Sequence, residues 1–535
     1  MGLNQLHENL LHRAVVGDLI TRSAQRFGER TALVCGEHEI SFKAVNEKSC
    51  QAANAFLAMG IERGDRVAFM THNCLDYIYC RFGLAKIGAV LVSINFMLKG
   101  EEIAYILEDC QPKALFVEDI LVDAVRSVGK NLEKIKHLGW FGIRGKDARP
   151  DGWLDASEMF EGAYSADEPS VIVASDDVAT LMYTTGTESF PKGVMSTHLN
   201  YYMSMLHFAC DCDFRREDVL ILDLPLFHVA GTIVLTAALT IGCKSLIEYA
   251  PDPMNILRKT ERERVSYWIY PATLYLALPM IPGFDRFDLS SLKKCISFGS
   301  VIPTAVLETW RTIKPDLQWR NYWGQTESTP VGTTSVPEDF EATMGSIGIA
   351  DTGVSVKVFD ERDQEVPRGT LGELVIRGPA VMKGYWNKPD LTDKALANGW
   401  LHTGDLGYCD ERGVFYFVDR KKDMIKTGGE NVASQEVEGA LVRHPKVAMA
   451  AVIGMPHPHW IESVTAVVVL KPQQEATEAE ILEFCKQHLA GFKIPKKVIF
   501  APRLPMTPNG KILKRKIREE LLAQSAGTEP STLPL

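Results

Sequence analysis

The sequence predicts an α/β fold: a large N-terminal domain of layered α/β subdomains with a β-rich section, then a small α+β C-terminal domain. Three observations carry that expectation. Amphipathic helical stretches alternate with short apolar strands over most of the chain. Between Val354 and Val418 the texture changes to strands separated by turns. After Arg420 it changes again, to a long apolar strand and a capped helix.

Residues 44–60 (AVNEKSCQAANAFLAMG) space Cys50, Ala53, Phe56 and Leu57 along one helical face and end at a glycine. ALFVE (114–118), VSYWIYP (265–271) and CISFG (295–299) are short and apolar, the pattern of strands buried in a mostly parallel sheet. The uncharged run Leu224 to Cys243 is long enough to cross a bilayer by count. Its proline, histidine, glycine and three threonines make it a buried core element instead. VSVKVFD, LGELVIRG and VFYFVDR read as antiparallel strands. The charged stretch Asp419–Asp423 (DRKKD) marks the boundary, giving domains 1–420 and 421–535. In the tail, SVTAVVVL is a strand, and Thr477 with Glu480 opens a helix bearing Ile481, Leu482, Cys485 and Leu489 on one stripe. Residues after Gln524 are rich in Ser, Thr, Pro and Gly and are expected to fray.

Composition narrows the function. With 535 residues, 46% hydrophobic and 24% charged, the chain is ordinary globular protein. A net charge of -10 and a pI near 5.8 argue against a nucleic-acid binder and against a polybasic membrane anchor, and leave small anions open. Eleven cysteines contain no C-x-x-C pair; the odd count and the chain's size suggest reduced thiols in a cytoplasmic enzyme. The N-terminal MGLNQLHENL lacks the apolar core of a signal peptide, and the C-terminal STLPL is not a peroxisomal ending.

Five short stretches carry chemistry. YTTGTESFPKG (183–193) holds glycines, hydroxyls and Lys192, parts that suit a phosphate, but is not the Walker pattern. NYWGQTES (321–328) offers a stacking aromatic and Glu327 as a hard oxygen ligand. HTGDLG (402–407) presents Asp405 on a turn, where a carboxylate can take two ribose hydroxyls. VDRKKDMIKTGGENV adds Arg420 and a Gly-Gly pair, and PMTPNGKILKRKIRE adds Lys511. Singly, each stretch is more often a solvated turn than a site.

Together, in this order, and with PLFHVAG (225–231) as a sixth match, they resemble the adenylate-forming superfamily and specifically its acyl-CoA synthetases, over about residues 19–522. The resemblance implies a mobile small domain and ATP, magnesium and coenzyme A as reactants. It places Thr184, Thr185, Gly186, Thr187 and Lys192 on the β- and γ-phosphates. Gly299, Ser300 and Val301 lie against the adenine, which Trp323 covers; Thr326 neighbours the α-phosphate; Asp405 and Arg420 hold the ribose. Glu327 and Thr187 are the metal positions. Lys511 joins the α-phosphate to the attacking carboxylate, Lys422 is the hinge, and Gly428, Gly429, Trp460, Phe492 and Lys496 meet coenzyme A. The acyl pocket is drawn from His228, Val229, Tyr270, Phe298, Ser300, Val301, Val331 and Gly332, with His228 a candidate gate. Lys511, Thr187, Glu327 and His228 are the catalytic candidates.

That lining shows no Arg or Lys for a second carboxylate, so a medium-chain, branched or aryl monocarboxylic acid is expected, with a carnitine-type ligase or a carrier-protein loader as alternatives. A nucleotide sensor without catalysis is a third reading, opposed by Lys511, Glu327 and Asp405. A homodimer is compatible with the resemblance. The chain departs from the family at Glu188 and Ser189 in the phosphate loop, where threonine and glycine are usual; Glu188 is expected to point away from the phosphates or to reach the metal through water. It departs again at His457 and Ile461, where aspartate and glycine are usual.

Overall fold

The computed structural model describes residues 4–145, 148–184, 191–299, 301–427, 430–506 and 512–525. Among them, four sheets organise the chain. A nine-stranded sheet runs through Ile349–Ala350, Thr333–Thr334, Gln318–Trp323, Lys294–Phe298, Tyr267–Pro271, Val219–Leu222, Lys244–Ile247, Thr31–Cys35 and His38–Ser41. Its strands from Gln318–Trp323 to Thr31–Cys35 are mutually parallel; its edges are antiparallel. An eight-stranded sheet runs through Gly384–Tyr385, Lys192–Thr197, Val178–Thr184, Val90–Ser93, Arg66–Met70, Ala114–Glu118, His137–Phe141 and Leu154–Asp155. Ala114–Glu118 is buried at every position, which is why its first four residues form a continuous apolar run rather than an alternation; the buried Glu118 that ends it accepts from His72 and Tyr249.

The chain winds the larger sheet in both directions from Val219–Leu222. It crosses one face as the helix Val229–Ile241 and returns as the neighbouring strand Lys244–Ile247. It then crosses the other face as the helix Pro253–Glu263 and returns on the opposite side as Tyr267–Pro271. Ile233, Val234 and Leu235 of the first helix join one core cluster; Ile256 and Leu257 of the second join another, with Trp268, Tyr275 and Trp310. The apolar run 224–243 is therefore a buried 13-residue helix and its approach loop. No helix among the described residues is long and apolar enough to cross a membrane.

The helix expected over 44–60 spans Phe42–Ala58, opened by Ser41, whose hydroxyl accepts from the Ala44 amide; Cys50, Ala53 and Phe56 are buried as the stripe requires. The β-rich section is an antiparallel sheet of Ser355–Phe359, Gly372–Arg377, Leu401–Cys409 and Phe415–Arg420. Residues from Ile425 on build their own sheet and cores. There the helix Glu478–His488 starts where Thr477 accepts from the Glu480 amide, but Leu489, expected on its stripe, is the extended residue that ends it. Residues beyond Ser525 lie outside the described residues, so the fraying expected there is not addressed.

The small unit holds a buried charge. Glu438 pairs with Lys514 at 2.8 Å and accepts from the Val452 amide at 2.7 Å. Burial raises its pKa, with Lys514 and the amide opposing. Lys514→Met strands that carboxylate and should cost about 3 kcal/mol of stability, largely recovered in Lys514→Met with Glu438→Met. Thermal unfolding checks this; an unchanged Tm in the single variant would refute it.

Candidate active site

Trp323, Glu327, Lys192, Asp405 and Arg420 come together where the carboxyl end of the nine-stranded sheet meets the edge of the eight-stranded sheet and the antiparallel sheet. Open α/β sheets bind ligands in such crevices because loops, not packed strands, line them. Trp323 ends the strand Gln318–Trp323 and is nearly buried. Its indole Nε1 donates to Asp405 Oδ2 at 2.9 Å. Asp405 is 3% exposed, stands opposite Arg420 in strand register, and its Oδ1 lies 3.4 Å from the Arg420 Nε. The Thr403–Asp405 turn is tied down: Gly404 N donates to Glu373, the Thr403 hydroxyl to the Leu374 carbonyl, and Gln325 to the Thr403 carbonyl. Three residues far apart in sequence, expected around one nucleoside, thus share one carboxylate.

Gly324 turns the chain out of the Trp323 strand so closely that an added Cβ would lie 1.4 Å from the Pro330 carbonyl oxygen. The loop it closes carries Thr326, buried, and Glu327, half-buried. The Glu327 carbonyl accepts from the Met382 amide at 2.8 Å, and its Oε1 accepts from the Tyr385 hydroxyl at 3.0 Å. The Lys192 ammonium sits 5.2 Å from the centre of the same Tyr385 ring, a cation–π distance. Lys192 stands opposite Thr184 in the hairpin whose loop is the expected phosphate loop. Tyr385 escaped the sequence reading because no spacing marks it; only the pairing of Gly384–Tyr385 with Lys192–Thr197 brings it here.

Gly299 has φ +82, and no described atom lies within 4 Å of where its Cβ would stand; Val301 packs in the cluster that holds Trp323. Thr185, Gly186, Thr187, Glu188, Ser189, Ser300, Gly428, Gly429 and Lys511 lie outside the described residues, so neither the course of Glu188 nor the reach of Lys511 is addressed. The described donors fit the groups the resemblance implies: a carboxylate oriented by a phenol suits a hard divalent ion, and Lys192 and Arg420 suit an anionic nucleotide.

The acyl candidates divide. Val229, Val331 and Gly332 are buried, and Phe298 packs against the core beneath the helix Val229–Ile241. Tyr270 faces the opposite side of the sheet, with Trp268 and Tyr275. His228 caps the helix, its Nδ1 accepting from the Ala230 amide at 3.2 Å. In the small unit, Trp460 stacks on His457 at 4.3 Å, and the Lys496 ammonium is 5.3 Å from its ring centre. Phe492 is exposed and set apart on Gly491–Lys493. Ile461 adopts φ +70, a conformation costly for a β-branched residue, at a position where the resemblance leads one to expect glycine. Lys422 reaches solvent; crowding by protein lowers its pKa, helped by Arg420 and opposed by Asp423.

A charged cluster backs Gly332. Its amide donates to Asp351 Oδ2 at 2.7 Å. His207 Nδ1 lies 3.3 Å from Asp351 and 3.2 Å from Asp211, and Tyr322 stacks on its ring. Burial pushes the His207 pKa down, but Asp351, Cys212 and Asp211 outweigh it and hold it well above the ordinary value. A raised folded pKa means the pairing stabilises fully below the unfolded value, about 6.5, and is lost as pH rises through the folded value. The stability gap between wild type and His207→Gln should therefore narrow above pH ~6.5, by at most about 1.4 kcal/mol per pH unit. Denaturant melts from pH ~6 to ~9 check it, and a constant gap would refute it.

The family described as AMP-binding enzyme matches residues 20–386, and the AMP-binding enzyme C-terminal domain matches residues 436–511. A long-chain-fatty-acid–CoA ligase of Mycobacterium tuberculosis is 33% identical over 495 residues, 90% of this chain and 93% of its own. A feruloyl-CoA synthase of Amycolatopsis is 33% identical over 506 residues, 94% of this chain and 98% of its own. The crystal structure of an anthranilate CoA ligase in complex with anthranoyl-AMP superposes with a TM-score of 0.89 at 27% identity, covering 96% of this chain and 98% of that one. The chain belongs to the AMP-binding enzyme family, among its AMP-forming acid–thiol ligases.

Proposed function

We propose that this ligase activates a medium-chain, branched or aryl monocarboxylic acid as its acyl adenylate and passes the acyl group to the thiol of coenzyme A. The observation that carries the reading is the convergence of Trp323 and Arg420 on the Asp405 carboxylate, beside Glu327, Tyr385 and Lys192. The names of the three relatives support acyl or aryl transfer to coenzyme A, and none of the three favours a carnitine-type substrate.

A carboxylate is a poor acyl donor because oxide is a poor leaving group; joined to AMP as a mixed anhydride, the acyl group can instead lose AMP, its oxygen leaving on the phosphate. Asp405 and Arg420 hold the ribose, with the adenine between Trp323 and the Gly299–Val301 segment. Lys192 neutralises the departing phosphates, and Lys511 holds the acid's carboxylate against the α-phosphorus, so two anions meet in line. A magnesium ion at Glu327 and Thr187 would add positive charge on the phosphate oxygens. Lys511 must then withdraw to admit the thiol. The proposed division into 1–420 and 421–535, hinged at Lys422, permits that exchange, with Gly428 and Gly429 entering and Trp460, Phe492 and Lys496 meeting coenzyme A. Val229, Val331, Gly332 and Phe298 line the acyl pocket, and His228 stands at its mouth. A cytoplasmic location is supported by eleven free cysteines, most of them buried.

Acids incubated with ATP and magnesium, with and without coenzyme A, test the reading. Pyrophosphate with thioester is expected; adenylate without thioester would point to carrier loading, and neither product would end the ligase proposal. Lys511→Ala should slow pyrophosphate release by about a hundredfold or more; full-rate release would contradict its role. Tyr385→Phe, which frees Glu327 without altering packing, should lower kcat about three- to tenfold with Tm unchanged. Unaltered magnesium dependence and kcat would remove Tyr385 from the site.

A further inference from the structure

Asp109 stands in the last turn of the helix Glu101–Cys110, half-buried. An anion there opposes the helix dipole, and no basic residue of that turn offsets it. Its partner comes from another element: Oδ2 accepts from the Tyr183 hydroxyl at 2.6 Å. Burial, Cys110 and Asp109 raise the Tyr183 pKa, so the phenol keeps its proton and donates. The Asp109 carbonyl is one of the last four that a helix leaves without an internal partner. It accepts from Trp386 Nε1 at 3.1 Å and from Asn387 Nδ2 at 3.0 Å.

These contacts close a ring at the base of the expected phosphate loop. Tyr183 stands opposite Gly193 in the hairpin, one pair before Thr184 and Lys192. The Gly193 carbonyl accepts from the Trp386 amide at 2.8 Å, and Trp386 returns to Asp109 through its indole. A Cβ on Gly193 would lie 3.1 Å from the Tyr183 ring and 3.3 Å from Trp386 Cβ, so both side chains close on the glycine. Thr184 and Lys192 form the last described pair of the ladder, so the aim of both depends on how the pair beneath them is held. Trp386 also directly follows Tyr385, the residue that meets Glu327 and Lys192.

We propose that Asp109 is a positioning residue for the β- and γ-phosphates of ATP, acting through Tyr183 and Trp386 on the strand ends that carry Thr184, Lys192 and Tyr385. The inference rests on the ligase reading above and deepens it. No contact between Asp109 and a reactant is required. The ring fixes both strands of the hairpin at their last pairs, so Lys192 meets the departing phosphates without first having to be ordered. The nucleoside end is held by Asp405, Arg420 and Trp323, residues outside this ring. Loosening the ring should therefore be felt by the phosphates and not by the nucleoside.

The test measures Kd for ATP and for AMP by calorimetry on full-length protein, each with magnesium and without acid. Tyr183→Phe keeps the ring and removes its bond; it should weaken ATP about tenfold and leave AMP within about twofold. Asp109→Ala should do the same, and the double variant should bind ATP no worse than either single one, since both break one bond. Asp109→Asn keeps an acceptor for the phenol and should come within about threefold of wild type. Loss of folded protein lowers the measured stoichiometry but not the Kd. A merely structural role would therefore leave ATP affinity unchanged or weaken both nucleotides alike, and either result overturns the proposal. Tyr183→Phe decides the matter if Asp109→Ala does not fold. A wild type that binds neither nucleotide overturns this inference and the ligase reading together. The expected nucleotide pattern with no pyrophosphate from any acid supports Asp109 and ends the ligase reading alone.

Discussion

The Asp405 carboxylate is the point on which the site's geometry depends. Burying it would be prohibitive without partners, and it has two of different kinds: a neutral donor from Trp323 in the large parallel sheet and a cation from Arg420 in its own antiparallel sheet. The Trp323 bond is a tie between sheets. It aligns the aromatic that ends one strand with the turn in another, so the proposed base and sugar contacts are placed by a single hydrogen bond rather than by separate loops. The Thr403–Asp405 turn needs several further bonds because nothing in the ladder alone would hold a carboxylate there.

The next residue but one before the small unit's boundary extends that tie. Asp419, 1% exposed, accepts from the amide and hydroxyl of Ser434, at the start of the helix Ser434–Val442. Ser434 also accepts from Lys514, which pairs with Glu438. A helix N-terminus favours an anion, so the small unit is anchored through Asp419 at the chain segment that links it to the antiparallel sheet. Arg420, one residue on, points back to Asp405. Adjacent residues thus hold opposite sides of the junction, next to the hinge proposed at Lys422.

What could be read from the sequence followed what is local. Strand Ala114–Glu118 and the helix Phe42–Ala58 declare themselves through periodicity and a cap, and the antiparallel section through alternation and turns. Trp323, Asp405, Arg420 and Glu327 stand in contiguous motifs, which is what marks them in the sequence as candidates. Tyr385 carries no such mark, since it acquires its place through a strand pairing. The split between Tyr270 and Phe298 has the same origin: in neighbouring parallel strands, residues one register apart face opposite sides of the sheet, and sequence does not state the register. Ile461 shows the converse, a positive φ betrayed by a departure from glycine.

Charge completes the account. The chain carries a net charge of -10, yet its proposed reactants are anions. The overall field cannot draw them in, so the attraction must come from a few cations within a Debye length of the crevice, about 8–10 Å in physiological salt. Lys192 and Arg420 are each held by an aromatic ring or a carboxylate rather than left to solvent, which preorganises them at the expense of reach.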